Sequence, residues 1–161
     1  MSDDLAALAR AVLDSNRYMT LATASADGEP WASPVWMAPD DALRSFYWVS
    51  LPEARHSRNL AARPELAMVI FDSTVAPMQG KAVYLSALGG EVGDDEVAAG
   101  LEVYSRRSVV QGIGEWGVER VTGEAPHRLY RAVVREASVL VPGDHPLHEG
   151  RRGDFRAVVS L

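Results

Sequence analysis

The sequence predicts a mainly β, single-domain protein: a small antiparallel barrel with short helices packed outside it. Three observations carry that reading. Five or six runs of β-forming residues dominate the chain and follow one another in meander order, with turn residues between them. The strand–helix–strand alternation that builds a parallel sheet is missing. With 161 residues, 47% of them hydrophobic, the chain can bury one sizeable core, and neither an internal repeat nor a linker divides it. Residues 1–161 are therefore read as one domain.

Residues 3–15 place Leu5, Leu8, Ala9, Val12 and Leu13 on one face of a helix, with Asp3 and Asp4 at the end that favours acids. Residues 18–24 alternate and form a strand. Asp27-Gly28 is a hairpin signal, and residues 31–37 form the second strand. Pro34 inside it marks an edge or a bulge. Residues 39–41 make a turn and 44–50 the third strand. A helix is expected over 52–62, with Pro52 at its first position and Arg63-Pro64 as its stop. The continuous apolar run 66–71 reads as a buried strand, and 81–88 as another, broken off by Gly89-Gly90. Asp94 can cap a helix running to about 104, with Val97, Leu101 and Tyr104 on one face. Residues 105–126, with four glycines and Trp116, read as a long functional loop. A long strand with possible bulges spans 128–141, a polar tail 142–153, and a last strand 155–161.

Composition removes several function classes. A net charge of −6 and a pI near 5.2 argue against a nucleic-acid partner. The absence of cysteine excludes disulfides, zinc–thiolate sites and thiol catalysis. No apolar run approaches the roughly 18 residues of a membrane span, and the acidic start Ser2-Asp3-Asp4 is no signal peptide. The expectation is a cytoplasmic protein without a membrane partner. Fifteen of the sixteen basic residues are arginine, which makes the single Lys81 a position to notice. No phosphate loop, nucleophile elbow or zinc-helix motif occurs. Gly112-Ile113-Gly114 lacks the third glycine and the preceding strand of a dinucleotide fingerprint. His127, His145 and His148 read as surface or tail residues, so no metal site is expected.

The chemistry-bearing segment is 50–60. Ser50 ends a strand, a helix starts behind it, and Arg55, His56 and Arg58 follow within four residues. A helix N-terminus offers free N–H groups and a positive dipole end, and arginine forks suit a phosphate. The segment is an anion site, or else a solvated helix face. Trp31, Trp36 and Trp48 lie on the two preceding strands, as ring-binding aromatics or as barrel core.

Several short motifs occur in a telling order. They are Tyr18-Met19-Thr20-Leu21-Ala22-Thr23, Asp27-Gly28-Glu29-Pro30, Ser33-Pro34-Val35-Trp36, Phe46-Tyr47-Trp48-Val49-Ser50 and Arg55-His56-Ser57-Arg58-Asn59-Leu60. In that order they resemble the pyridoxamine 5'-phosphate oxidase-like proteins, the flavin-binding split β-barrels. The likeness covers roughly residues 5–90 and loosens from Arg128-Leu129-Tyr130-Arg131-Ala132 onward. It implies a six-stranded split barrel, a homodimer, and FMN in a groove between two barrels. By position it implies that Ser50, Arg55 and His56 hold the FMN phosphate and that Val49 gives backbone contacts. Ser33, Val35 and Trp36 would line the ring or ribityl chain, Lys81 would reach the flavin edge, and Arg58 with Asn59 would support the phosphate or the helix.

Family oxidases usually carry Ser-Arg-Lys where this chain has Ala54-Arg55-His56, so one permanent cation becomes titratable. Phosphate binding is then expected to weaken above neutral pH. The Arg-Leu-His segment by which vitamin B6 oxidases grip their substrate is represented only by Pro146-Leu147-His148-Glu149-Gly150-Arg151, without its first arginine or a preceding tryptophan. The resemblance thus implies an FMN-dependent oxidoreductase that moves hydride between flavin N5 and a small or planar substrate, without vitamin B6 oxidase activity. Trp116 could close over that pocket as a lid or touch the substrate, or else serve as a hydrophobic anchor for its loop. One alternative is the deazaflavin F420, with Arg106 and Arg107 joining Arg55 and Arg58 along its acidic tail. The other is a non-catalytic, dimeric flavin- or haem-binding module.

Overall fold

The computed structural model describes residues 2–77 and 79–161, and the side chains from residue 4 onward. The capping role expected of Asp3 lies outside the described residues. The chain opens with helix α1 (Ser2–Ser15), whose Leu5, Ala9, Val12 and Leu13 are buried. Strands β1 (Tyr18–Ala24), β2 (Pro30–Trp36), β3 (Ala38–Pro39) and β4 (Ser45–Ser50) follow. After them come helix α2 (Arg55–Ala62), strands β5 (Glu65–Phe71) and β6 (Ala82–Glu91), helix α3 (Val97–Val110), and strands β7 (Arg128–Leu140) and β8 (Arg156–Val159).

Among the described residues eight strands form one antiparallel sheet in the order β2-β1-β5-β6-β7-β4-β3, with β8 added on β7. The two ends of that order are neighbours in sequence. β2 pairs with β1, β3 pairs with β4, and only Met37 separates them. The sheet therefore curls until its edges meet at Met37, which is fully buried and donates its N–H to Arg17 O at 3.0 Å. This is the split-barrel architecture. Pro34 is tolerated because β2 pairs on one side only.

Strand alternation sorts the side chains onto two faces. Met19, Leu21, Phe46, Trp48, Met68, Ile70, Val83 and Leu85 point inward and join the apolar face of α1 in the main core. A second cluster forms where α3 covers β4 and β7, around Tyr47, Leu129, Val97, Leu101 and Tyr104. The outer face of β2, β1 and β5 is left open, while on β6 the Arg156 guanidinium lies 3.8 Å from the Tyr84 ring. The cross-strand rows of this face are Pro34–Thr20–Val69–Tyr84 and Ala32–Ala22–Ala67–Ser86, without a charged residue, and Tyr18 and Phe71 beside them are 61% and 51% exposed.

Several expected boundaries move. Pro39, expected in a turn, belongs to the short β3 that completes the closure. Pro52 does not start α2. It lies in a turn closed by Ala54 N–H donating to Leu51 O at 3.1 Å, and the helix begins three residues later. β5 is buried on one face only, because Ala67 and Phe71 are exposed. Gly89-Gly90 does not end β6. A Cβ on Gly89 would lie 2.9 Å from Leu66 Cδ2 and 3.4 Å from Arg131 O, so glycine is there for space while the strand continues. Asp94 does not cap α3, whose N-cap is Glu96. Residues 105–110, expected in a loop, extend α3 to Val110. The bulge expected in the long strand is real: the β6–β7 register shifts between Ser86 and Ala87, leaving Arg135 as the extra residue.

The crowding at Gly89 yields a test. Gly89→Val is expected to lower unfolding free energy by about 1–3 kcal/mol through overpacking against Leu66. Gly90→Ala, with open space around its Cβ, is expected to stay within about 0.5 kcal/mol of the parent. Urea unfolding of the two variants measures both.

Candidate functional site

Helix α2 sits across the end of the barrel where β4 finishes. Leu60 enters the main core, and Asn59 Nδ2 donates to Thr23 Oγ1 on β1 at 3.0 Å in a buried setting. Asn59 thus anchors the helix to the barrel and is spent on that bond. Ser57 is buried, its hydroxyl beside the Tyr130 phenol without completing a hydrogen bond of ordinary geometry. Burial pushes the Tyr130 pKa up.

The first turn of α2 runs against helix electrostatics. Its N-cap is Ala54, no side chain accepts a cap hydrogen bond, and no acid stands in the first turn. Arg55 and Arg58, with the titratable His56 between them, occupy the positive end instead, where a cation is disfavoured by the dipole. Free N–H groups and cations together make an anion-binding terminus. Ser50 joins it from the end of β4, its Oγ 2.8 Å from His56 Nε2.

Burial lowers the His56 pKa below its ordinary 6.5. The ring is therefore already neutral at pH 7, and the charge loss expected above neutral pH moves to the acid side. When the neutral ring carries its proton on Nε2, it donates to Ser50 Oγ and leaves the serine O–H free for an anion. In the other tautomer Ser50 donates to His56 and has no proton to offer.

Arg55 leans over the Trp31 ring, with Cζ 4.3 Å from the ring centroid, and pairs with Glu29 at 2.8 Å. Trp31 Nε1 donates to Ser33 Oγ at 2.9 Å, which brings Ser33 into the same group. Arg58 donates from Nη1 to Glu53 O and so clasps the turn that precedes the helix. Ser33, Ser50, Arg55, His56 and Arg58 therefore gather at α2.

The other candidates lie elsewhere. Val35, on the same face of β2 as Ser33, is 9% exposed in the main core and leaves only its backbone for a ligand. Trp36 points to the opposite face, where Val49 and Trp116 also pack. There Trp36 meets Tyr104 edge-on at 4.9 Å, and Tyr104 meets Trp116 at 5.4 Å. Trp36 Nε1 donates to Gln111 Oε1 at 2.7 Å, and Trp116 N–H to Ser105 Oγ at 2.9 Å. Burial pushes the Tyr104 pKa up to about 12. Trp116, a candidate lid, substrate contact or loop anchor, ties its loop to α3 through Ser105 and borders an open groove of about 590 Å³ lined also by Leu101, Arg106 and Val109. Lys81 is exposed just before β6, seven residues from Leu88. Leu88 pairs with Glu65 at the α2 end of the sheet, so Lys81 stands about 20 Å away along the strand.

Arg106 pairs with Asp41 at 3.2 Å, and Arg107 donates to Asn16 O at 3.0 Å, so both are engaged on α3 and not at α2. His145 pairs with Asp4 at 3.0 Å, and His148 lies 5.4 Å from the Phe155 ring. Among the described residues no three His, Asp or Glu side chains converge as a metal site, and no helix is long and apolar enough to cross a membrane. Sequence reasoning missed Glu29 as a partner of Arg55, since nothing local ties a hairpin turn to a helix 26 positions on.

The depressed His56 pKa has a stability consequence. The unfolded chain takes up the proton near pH 6.5 and the folded chain only at lower pH, so this contribution is complete above pH 6.5 and declines as pH falls below it. His56→Gln is expected to make the loss of stability between pH 7.5 and 5 shallower. Urea unfolding at the two pH values, with an NMR titration of the ring, checks this.

The pyridoxamine 5'-phosphate oxidase family model matches residues 5–138. No curated protein matches the sequence. Solved structures resemble the fold at low identity. Atu2129 of Agrobacterium tumefaciens, of unknown function, has a TM-score of 0.65 at 17% identity, covering 86% of this chain and 57% of its own. This chain thus spans little more than half the length of that relative. HutZ, the heme storage protein of Vibrio cholerae, has a TM-score of 0.60 at 18% identity and 93% coverage of both chains. A FAD-binding protein of Mesorhizobium loti has a TM-score of 0.61 at 22% identity, covering 83% of this chain and 92% of its own. At these identities the likeness establishes the fold, and the match over residues 5–138 establishes more: the chain belongs to the pyridoxamine 5'-phosphate oxidase family.

Proposed function

We propose that the chain is a homodimeric, FMN-dependent oxidoreductase acting on a small or planar substrate. The observation that carries this reading is the first turn of α2: an uncapped helix start with no acid and with Arg55, His56 and Ser50 around it. The donor set fits one phosphate monoester. Arg55 supplies a permanent cation, the α2 amides supply backbone donors, and His56 in its Nε2–H tautomer holds Ser50 so that its hydroxyl can donate. Family membership supports a flavin as the molecule that carries the phosphate. Arg106 and Arg107 stand on α3 and not beside the first turn of α2, so the extra cations that the tail of F420 would need are not grouped with Arg55, which supports FMN over that deazaflavin.

When bound, FMN supplies hydride chemistry at its N5. This chain's own residues hold and orient: Ser50 and Arg55 at the phosphate, the Val49 and Val35 backbone along strands β4 and β2, and Ser33 beside Trp31. No side chain here is nominated as a catalytic acid or base. Arg151 stacks on Phe155 and donates to Leu147 O, so the segment that echoes the vitamin B6 grip folds on itself. This supports a substrate other than vitamin B6 phosphates.

The uncharged outer rows of β2, β1, β5 and β6 support the homodimer. Burial of such a face gains about 25 cal/mol per Å² of apolar area. Phe71→Asp would place a charge in that interface. It is expected to turn a dimer into a monomer by light scattering, and a monomeric parent protein would overturn the assignment.

The cofactor is tested by the absorbance spectrum of freshly purified protein, followed by FMN titration of any colourless fraction. A flavin spectrum is expected. FMN affinity should fall tenfold or more in Arg55→Ala, as for a charge-assisted hydrogen bond of about 1.5–3 kcal/mol, and about fivefold in Ser50→Ala. A haem Soret band, or FMN binding indifferent to Arg55, would overturn the reading.

A further inference from the structure

Arg55 already has an anion on it. Its Nη2 lies 2.8 Å from Glu29 Oε2, with the guanidinium stacked on Trp31. Glu29 belongs to the β1–β2 turn, which is tightly closed. Gly28 takes φ +88 there and donates to Ser25 O at 2.9 Å, while Ser25 N–H donates to Glu29 O at 2.9 Å. Glu29 N–H donates back to Ser25 Oγ at 3.1 Å. The backbone of Glu29 is thus fixed within reach of α2. Its side chain is 70% exposed, against 32% for that of Arg55, so the carboxylate can swing into water when another anion arrives.

Building on the anion site read above, we propose that Glu29 is a specificity-determining residue, a resident competitor that a phosphate monoester displaces from Arg55. A carboxylate carries one negative charge, while a phosphate monoester carries about 1.5–2 at pH 7 and three acceptor oxygens. Arg55 therefore prefers the phosphate, and the α2 amides and Ser50 reinforce that preference. The displaced contact is a partly exposed ion pair, which such pairs make weak enough to give up. A ligand with a neutral tail cannot displace Glu29 and draws nothing from Arg55.

Dissociation constants for FMN and riboflavin, read from flavin fluorescence, test this in the parent protein, Glu29→Gln, Arg55→Ala and the double variant. Glu29→Gln is expected to tighten FMN about two- to fivefold, the size of a partly exposed ion pair, and to leave riboflavin unchanged. In the Arg55→Ala background the gain should vanish. Weaker FMN binding in Glu29→Gln would mean that the carboxylate orients Arg55 and would overturn the proposal. So would an unchanged FMN affinity, or an equal gain for riboflavin. If Arg55→Ala weakens FMN while Glu29→Gln does not tighten it, the competitor role alone falls. If FMN binding ignores Arg55, the phosphate site falls and the competitor role with it.

Discussion

The candidate site depends on one buried contact between helix and barrel. Asn59 on α2 donates to Thr23 on β1, and Leu60 enters the core beside it. These two residues fix the helix, and with it the direction of its first turn. Because the anchor lies in the second half of α2, the first half is free to break the usual rules of helix ends. It has an alanine N-cap, no acid, and three basic or titratable side chains where the dipole disfavours positive charge. A local conflict of this kind, held in place by a good contact elsewhere, is the pattern expected where a protein keeps a site ready for a ligand.

The barrel supplies the second constraint. Its edges are consecutive in the chain, so closure at Met37 also decides which way every neighbouring side chain points. Ser33 and Val35 face inward and Trp36 outward, because strand alternation allows nothing else. A ligand at the α2 mouth and the aromatic chain Trp36–Tyr104–Trp116 therefore belong to different sides of the sheet. The same alternation leaves the outer rows of β2, β1 and β5 without a charged side chain, up to Tyr84 on β6, where Arg156 stacks on the ring.

Much of this was legible in the residues. The bounds of β1 follow from simple alternation, Pro34 marked an edge, and Arg63-Pro64 ended α2. Ser50, Arg55 and His56 are close in sequence, so their grouping at a strand–helix junction could be read directly. What sequence could not show is set by distant packing. Gly89 looked like a strand end because its reason, the nearness of Leu66, comes from another strand. Residues 105–110 lack clear periodicity yet stay helical, with Ser108 buried and bonded to Gly114 O. Lys81 stands out in the composition as the one lysine, and topology sets it far from α2. Glu29 has no local sequence signal, because only the folded hairpin brings it to Arg55.

The central claim is that a phosphate monoester rests on the first turn of α2. The most direct measurement is amide NMR of the isotopically labelled protein as FMN is added. The account predicts the largest backbone shifts at Arg55, His56 and Ser57, with Ser50 moving alongside them. Shifts concentrated instead in the groove around Leu101, Val109 and Trp116, with the α2 amides unmoved, would contradict it.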